Sequence, residues 1–448
     1  MQGRSQERFQ GRGAVRAQGP AKGMAQQKRS SRRRTLCPYI LMALYTLDRL
    51  LKLLAVHRFL RRSAPPAPAQ WPGVSLLQPI TRGAADLPGA LACRAALRYT
   101  GHIQHVLICD EGDGETIALC RAWAADHPGL DVRIVTAEGA AERHRVSLRN
   151  SVSGVASAPI ATKVEKLHAG LPYAVGEVLA FVDDDILLRA EAVEQAVRYL
   201  QEPRAGAVFG VAVYTDWRNV PSSLLSAFVN ANALLSYLPL TYLAEPWTIT
   251  GHFYALRRQV FDAVGGLGGM EGRFDDDHEL ARRVMRHGLR NVQTPVIYDV
   301  DNRLDTLHDY ANQLRRWFII PKQTMAPYLT PRQQTVALLG SAGNLLLPLL
   351  AALTVAGRAS PRPLLGSLAL FAAVYAWCER RYLGRRTPPR RWPLVLLSAL
   401  IAPLEALAAL VGGDTFDWRG RRIRLHRGGR FEVLTPYGQS STPVDPRR

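Results

Sequence analysis

The sequence predicts an α/β fold, a mainly parallel sheet covered on both faces, followed by apolar membrane helices. Two observations carry the first half. Between residues 74 and 300 short apolar runs alternate with helical stretches, and acids stand directly behind two of those runs. The second half rests on a change of character beyond residue 330, where long apolar segments alternate with Arg-rich turns.

The strand candidates are VSLLQP (74–79), HVLIC (105–109), VRIVT (132–136), VLAFV (178–182) and AVFGVAVY (207–214). Helix candidates fall between and beside them at 88–99, 115–126, 163–173 and 190–201. A βαβα rhythm of this kind builds a parallel sheet. Ligands of such sheets bind beyond the carboxyl ends of the strands, the edge at which VLIC-DEGD and LAFV-DDD place their acids.

Residues 1–34 carry ten Lys/Arg against the single acid Glu7 and few apolar side chains, so a disordered basic extension is expected. Met24 and Met42 offer alternative starts. Residues 35–62 form an apolar stretch interrupted by Asp48, Arg49 and Lys52. Its unbroken part is short of the roughly 20 residues that cross hydrocarbon, so an interfacial helix is expected there. SAPPAPAQWPG (63–73) is a stiff linker to the body at 74–330.

Segments 338–356, 364–378 and 394–412 are read as membrane helices spanning 338–412. The Arg-rich turn at 379–392 belongs on the cytosolic side, which puts the 74–330 body there too if the first two segments both cross. The tail from 413 to 448 is just as basic, and Pro403 and Glu405 interrupt the third segment, so that segment is read as a crossing, as re-entrant or as interfacial.

The formal net charge of +20 first suggests a nucleic-acid binder. Its distribution argues otherwise. Residues 1–34 hold +9 and residues 379–448 hold +8, leaving a nearly neutral body. Basic ends beside apolar segments suit anionic headgroups, so a membrane is expected as partner and nucleic acid is not. The five cysteines are scattered and form no C-x-x-C pair, which points to neither a zinc cage nor a disulfide framework.

Three acidic or polar constellations carry the chemistry. Asp183, Asp184 and Asp185 follow an apolar strand. One could cap the next helix, but two carboxylates one residue apart at a strand end can grip Mg²⁺ or Mn²⁺ through oxygen. The body has no GxxxxGK[ST] and no GxGxxG with which to cradle phosphates, so a metal bridge is the remaining way to hold a nucleotide. Asp275, Asp276 and Asp277 precede an amphipathic stretch, and capping competes there with a general base for an acceptor hydroxyl. In NQLRRWFIIP (312–321), Gln313, Arg316 and Trp317 share one side of a helix. Arg316 can pair with phosphate and Trp317 can wall a sugar, although both residues also anchor helices at headgroup depth. Lys163 and Lys166 read as surface lysines of a helix, with a place near the phosphates as the alternative.

In this order, an acid after an early strand, Asp-x-Asp, an Asp pair and Q-x-x-R-W resemble the family 2 glycosyltransferases, and among them the ceramide glucosyltransferase-like branch. KVEKLHAG, TITGHFYALRR (248–258) and WRGRRIRL resemble that branch as well, and the likeness extends over about 74–430. The resemblance implies a GT-A fold and an inverting, metal-dependent transfer of one hexose from a UDP-sugar to a lipid hydroxyl. It assigns Asp110 and Asp113 to the nucleoside, although the spacing within DEGDGE is shifted. Asp183 and Asp185 fall to the metal and diphosphate, with Asp184 beside the donor. Asp277 becomes the base, Gln313, Arg316 and Trp317 close over the donor, and Gly251 and His252 line the acceptor pocket. A processive polysaccharide synthase shares these motifs but usually carries more membrane helices. A prenyl-diphosphate transferase would want its acid clusters on helices. A non-catalytic membrane-binding protein would have no use for the ordered set.

Overall fold

The computed structural model describes residues 20–84, 86–139, 161–418 and 421–434, with side chains from residue 37 onward. Residues 1–19 and 435–448, parts of the two basic ends, lie outside the described residues.

Eight strands form one sheet: β1 (Val74–Pro79), β2 (Ile103–Asp110), β3 (Asp131–Ala137), β4 (Val178–Val182), β5 (Ile186–Leu188), β6 (Ala205–Tyr214), β7 (Phe253–Arg257) and β8 (Arg290–Val300). Their order is β3-β2-β1-β4-β7-β6-β8-β5. Pairing is parallel for β1 with β2 and β4, for β2 with β3 and for β6 with β8. β7 runs antiparallel between β4 and β6, and β5 antiparallel at the edge. The antiparallel strand matters because its start, unlike theirs, lies at the carboxyl edge of its neighbours: Phe253 pairs with Val182. β5, β7 and β8 are the strands that the apolar rhythm did not single out.

Both faces are covered, as continuous apolar strands require. Leu76, Ala180 and Val182 face one core and Leu77, Leu179 and Phe181 the other. The helices about the sheet are α2 (Leu87–Ala95), α3 (Gly114–Asp126), α4 (Lys163–Gly170), α5 (Ala192–Tyr199), α6 (Val220–Asn232), α7 (Arg258–Ala263), α8 (Asp276–Arg286) and α9 (Leu307–Thr324). α6 runs on into a π-helical turn, Ala233–Tyr237.

The apolar helices are α1 (Pro20–Leu60), α10 (Pro331–Val355), α11 (Pro361–Cys378) and α12 (Trp392–Val411). Because α1 begins at Pro20, residues 20–34 are helical where disorder was expected; Ala, Gln, Lys and Arg there are good helix formers. Nor does α1 lie apart as an interfacial helix would. It packs against α10 and α11, with Arg49 and Lys52 only 3% and 6% exposed. Asp48 faces Lys52 at 3.2 Å and sits where a side chain on Gly343 of α10 would collide with it. The opposite face bares Leu44, Leu47, Leu51 and Leu54. Among the described residues three helical stretches are long and apolar enough to cross a membrane: Val220–Leu240, Pro331–Val355 and Pro389–Val411.

α12 is held along the α/β body from end to end. Before it, Arg391 donates to the carbonyls of Trp217 and Arg218. Midway, Glu405 accepts from the Tyr310 hydroxyl at 3.0 Å. After it, Lys322 donates to the Gly412 carbonyl and pairs with Asp414 at 2.9 Å. A last small sheet of β9 (Thr415–Trp418), β10 (Arg421–Leu425) and β11 (Phe431–Val433) then packs on α9 and on Phe274.

Candidate active site

The carboxyl edge of the sheet collects nearly every residue singled out. β4 ends at Val182 and releases Asp183, whose backbone N–H donates to the His252 carbonyl at 3.0 Å. This bond joins the Asp triplet to the start of β7. Asp184 turns the other way and accepts from the Thr81 N–H behind β1. Burial raises the Asp183 carboxyl to about 6 and that of Asp185 to about 8, with neighbouring acids adding to both shifts.

The amine of Lys163, first residue of α4, lies at the centre. It reaches Asp183 at 2.8 Å, the Gly251 carbonyl at 3.2 Å and Asp276 at 3.8 Å. Burial disfavours its charge, but Asp183 and Asp276 more than offset that and hold it protonated. Lys163 is therefore no surface lysine. Nor is Lys166, one turn on, which is 3% exposed and donates to Asp110 at 2.8 Å and to the Ile80 carbonyl. The α4 start that aims both is built by a capping box of Thr162 and Glu165. The surface reading was favoured for both because an amine on a short helix looks alike in sequence whether it meets water or a carboxylate.

The second acidic triplet divides into three fates. Asp275 is buried and clamped by both ends of the Arg273 guanidinium, at 3.0 and 2.7 Å. Asp276 faces Lys163. Asp277 turns toward Gly251, where an added methyl would stand 2.9 Å from its Oδ2. Its Oδ1 accepts from the His278 N–H at 2.8 Å. Burial raises the Asp277 carboxyl, Asp276 adds to this and His278 opposes it.

A neutral aromatic wall closes the site. The Tyr214 hydroxyl lies 3.3 Å from His252 Nε2, and the Tyr214 ring meets Trp317 edge-on at 6.1 Å. Burial, with Lys163 and Arg316 adding, lowers His252 to about 4, so it is uncharged at neutral pH. Tyr214 feels Asp185, Arg316 and Asp183, which brings the Asp triplet and the α9 motif around one ring. Gln313 is half-buried on the same helix, whose start is set by a capping box of Thr306 and Asp309.

The early acids stand apart from this group. Asp110 pairs with Lys166 and accepts from the Ala161 N–H at 2.7 Å. Asp113 caps α3 through Thr116 and also accepts from the Gly83 N–H, each at 3.3 Å.

Among the described residues no three His, Cys, Asp or Glu side chains gather closely enough to hold a metal by themselves. The edge does fit a hard divalent cation in part. Asp183 and Asp185 offer only oxygen, are half-buried and repel each other, and a cation shared with a diphosphate and water needs few protein ligands.

The fold is matched in a known protein. The mannosyltransferase PcManGT from Pyrobaculum calidifontis, in complex with GDP-Man and Mn²⁺, superposes with a TM-score of 0.50 at 20% identity, over 83% of this chain and 97% of its own. The likeness establishes the fold expected, a GT-A sheet. A model of glycosyl transferase family 21 matches residues 37–431. The chain belongs to that family and is a glycosyltransferase. The family is 21 rather than 2: short acidic motifs far apart in the chain carried the resemblance, and they do not separate the two.

Proposed function

We propose that this enzyme is membrane-bound and transfers one hexose, with inversion, from a UDP-sugar to a lipid hydroxyl, using Mg²⁺ or Mn²⁺. The observation that carries the reading is the reach of Lys163. One ammonium lies within 4 Å of both acidic patches. A sugar bound over it would have Asp183 and Asp185 on its diphosphate side and Asp277 on its other side. An attack from the face opposite the leaving group inverts the anomeric carbon.

Each residue then has a task. Asp183 and Asp185 would hold the cation, which would supply positive charge to the departing diphosphate. Lys163 adds a second positive charge near the same oxygens. Asp277 accepts the proton of the attacking hydroxyl, and its raised pKa brings it nearer the operating pH of a base. Gly251 leaves room for that hydroxyl, and His252 with Tyr214 lines its approach. Gln313, Arg316 and Trp317 close over donor and acceptor, with Arg316 toward phosphate and Trp317 against the sugar. Asp110 and Asp113, beyond Lys166, flank the nucleoside.

The topology we infer puts α10 and α11 across the bilayer, with α1 packed against them and its basic start on the cytosolic side. α12 lies in its surface, because both of its ends are tied to the catalytic body. Body, Arg-rich turn and tail then share the cytosolic side, as the arginines favour. Prenyl-diphosphate chemistry is disfavoured by an Asp triplet on a strand end rather than a helix.

The test is purified protein in nanodiscs with UDP-hexoses and hydroxylated lipids, with products analysed by mass spectrometry. A lipid bearing one hexose, absent with Asp277→Asn, supports the reading. A polymeric product or no sugar transfer overturns it.

A further inference from the structure

A cavity of about 260 Å³ lies among α1, α6, α10 and α12, away from the acidic edge. Its walls are largely apolar, with Phe228, Leu235, Phe318, Leu347, Ala402 and Leu407 among them. Asn232, Ser341 and Ser398 add amide and hydroxyl groups, and one spot is charged. Arg49 is buried, donates to Asn344 at 2.7 Å and pairs with Asp48; Asn344 in turn donates to Ser236 at 3.1 Å. Asp48, Arg49 and Lys52 together leave one positive charge in excess. Ionised side chains inside a membrane bundle are expensive and mark sites of function.

Two elements join this cavity to the acidic site. On α9, Trp317 meets Tyr214 of the site while the next residue, Phe318, packs on Phe228 of the cavity at 5.8 Å. On the other side α6 opens into the π-helical turn at Ala233–Tyr237, a distortion that recurs at functional sites. Asn232 and Ser236 line the cavity, and Asn230 of the same helix accepts from the Tyr214 N–H at 2.8 Å. The cavity thus lies behind the Tyr214–Trp317 wall of the site.

We propose that this cavity holds an acyl chain of the lipid acceptor, with Arg49 and its partner Asn344 receiving the carbonyl of the chain's amide or ester linkage. The proposal rests on the function argued above and narrows its acceptor. A chain with a hydrogen-bond acceptor near its head matches one cationic spot in an apolar wall. A hopanoid or polyprenol offers nothing for that spot to bind.

Full-length protein in nanodiscs would be irradiated with an acyl lipid that carries a free hydroxyl and a diazirine at the chain end. Label is expected on the cavity walls of α10 and α12, displaced by excess unlabelled hydroxylated acyl lipid. Label elsewhere overturns the proposal, as does equal displacement by phosphatidylcholine (bilayer lipid only) or by a polyprenol. Ala402→Phe narrows the cavity and should raise the KM of a long-chain acceptor about tenfold relative to a short-chain one. An equal effect on both chain lengths counts against it. Arg49→Gln should weaken the acyl lipid but not an ether analogue lacking the carbonyl; equal weakening overturns the Arg49 assignment. Donor binding is followed separately by tryptophan fluorescence with UDP-hexose. If wild type binds lipid in the cavity but no sugar nucleotide, the transferase reading fails and the cavity assignment stands.

Discussion

Asp277 differs from its two neighbours by what it faces, and the difference is testable. Asp277→Asn keeps the shape and removes the basic oxygen, so transfer should fall by about 10²–10⁴-fold while metal-dependent UDP binding persists. Asp185→Ala should lose both, as measured by turnover and by calorimetric titration with UDP and Mn²⁺. The pH profile follows from the raised Asp277 carboxyl. A base works only when ionised, so kcat/KM should rise with pH through its folded pKa. The acid limb should therefore lie above the ordinary carboxylate value of about 4. A limb at or below that value would remove Asp277 from the role. Gly251→Ala tests the same contact from the backbone side. Its methyl would push on Asp277 Oδ2, so kcat should drop with little change in the KM of the donor.

At the scale of elements, helix starts set the site's precision. α3 begins at Asp113, whose carboxylate accepts from Thr116 and Gly83, so Asp113→Ala should cost about 1 kcal/mol in a denaturant titration. Asp113→Asn should keep most of that, because an amide oxygen caps as well. If the Asn variant binds UDP normally and the Ala variant fails only through instability, Asp113 serves the fold rather than the donor. α8 starts within the Asp275–Asp277 triplet, and the small C-terminal sheet braces it. Gly429 fits against Asp275 where any side chain would collide, and Phe274 is boxed by Phe416, Trp418 and Phe431.

For the whole molecule, the attachment of α12 to the body carries a topological prediction. In a cysteine-free background, Ser360→Cys between α10 and α11 should react with an impermeant maleimide from outside sealed cells. Arg427→Cys in the tail should react only after the membrane is opened. Both reacting from the same side would mean that α10 does not cross, or that α12 does.

The sequence alone determined the rhythm of β1 to β4 and β6 with the helices between them, since buried parallel strands and capped helices leave strong local patterns. It also determined that Asp110 and the Asp183–Asp185 triplet end strands, and that Q-x-x-R-W precedes the apolar helices. Only the tertiary structure decided that Lys163 joins the two acidic triplets, that Lys166 pairs with Asp110, and that the charges of α1 turn inward against α10. The short β5, the antiparallel β7 and the long β8 were likewise settled by pairing with distant strands. The reason is common to all of these. A side chain's partner across 20 to 300 residues leaves no trace in its neighbours, whereas periodicity and capping are written within one or two turns of chain.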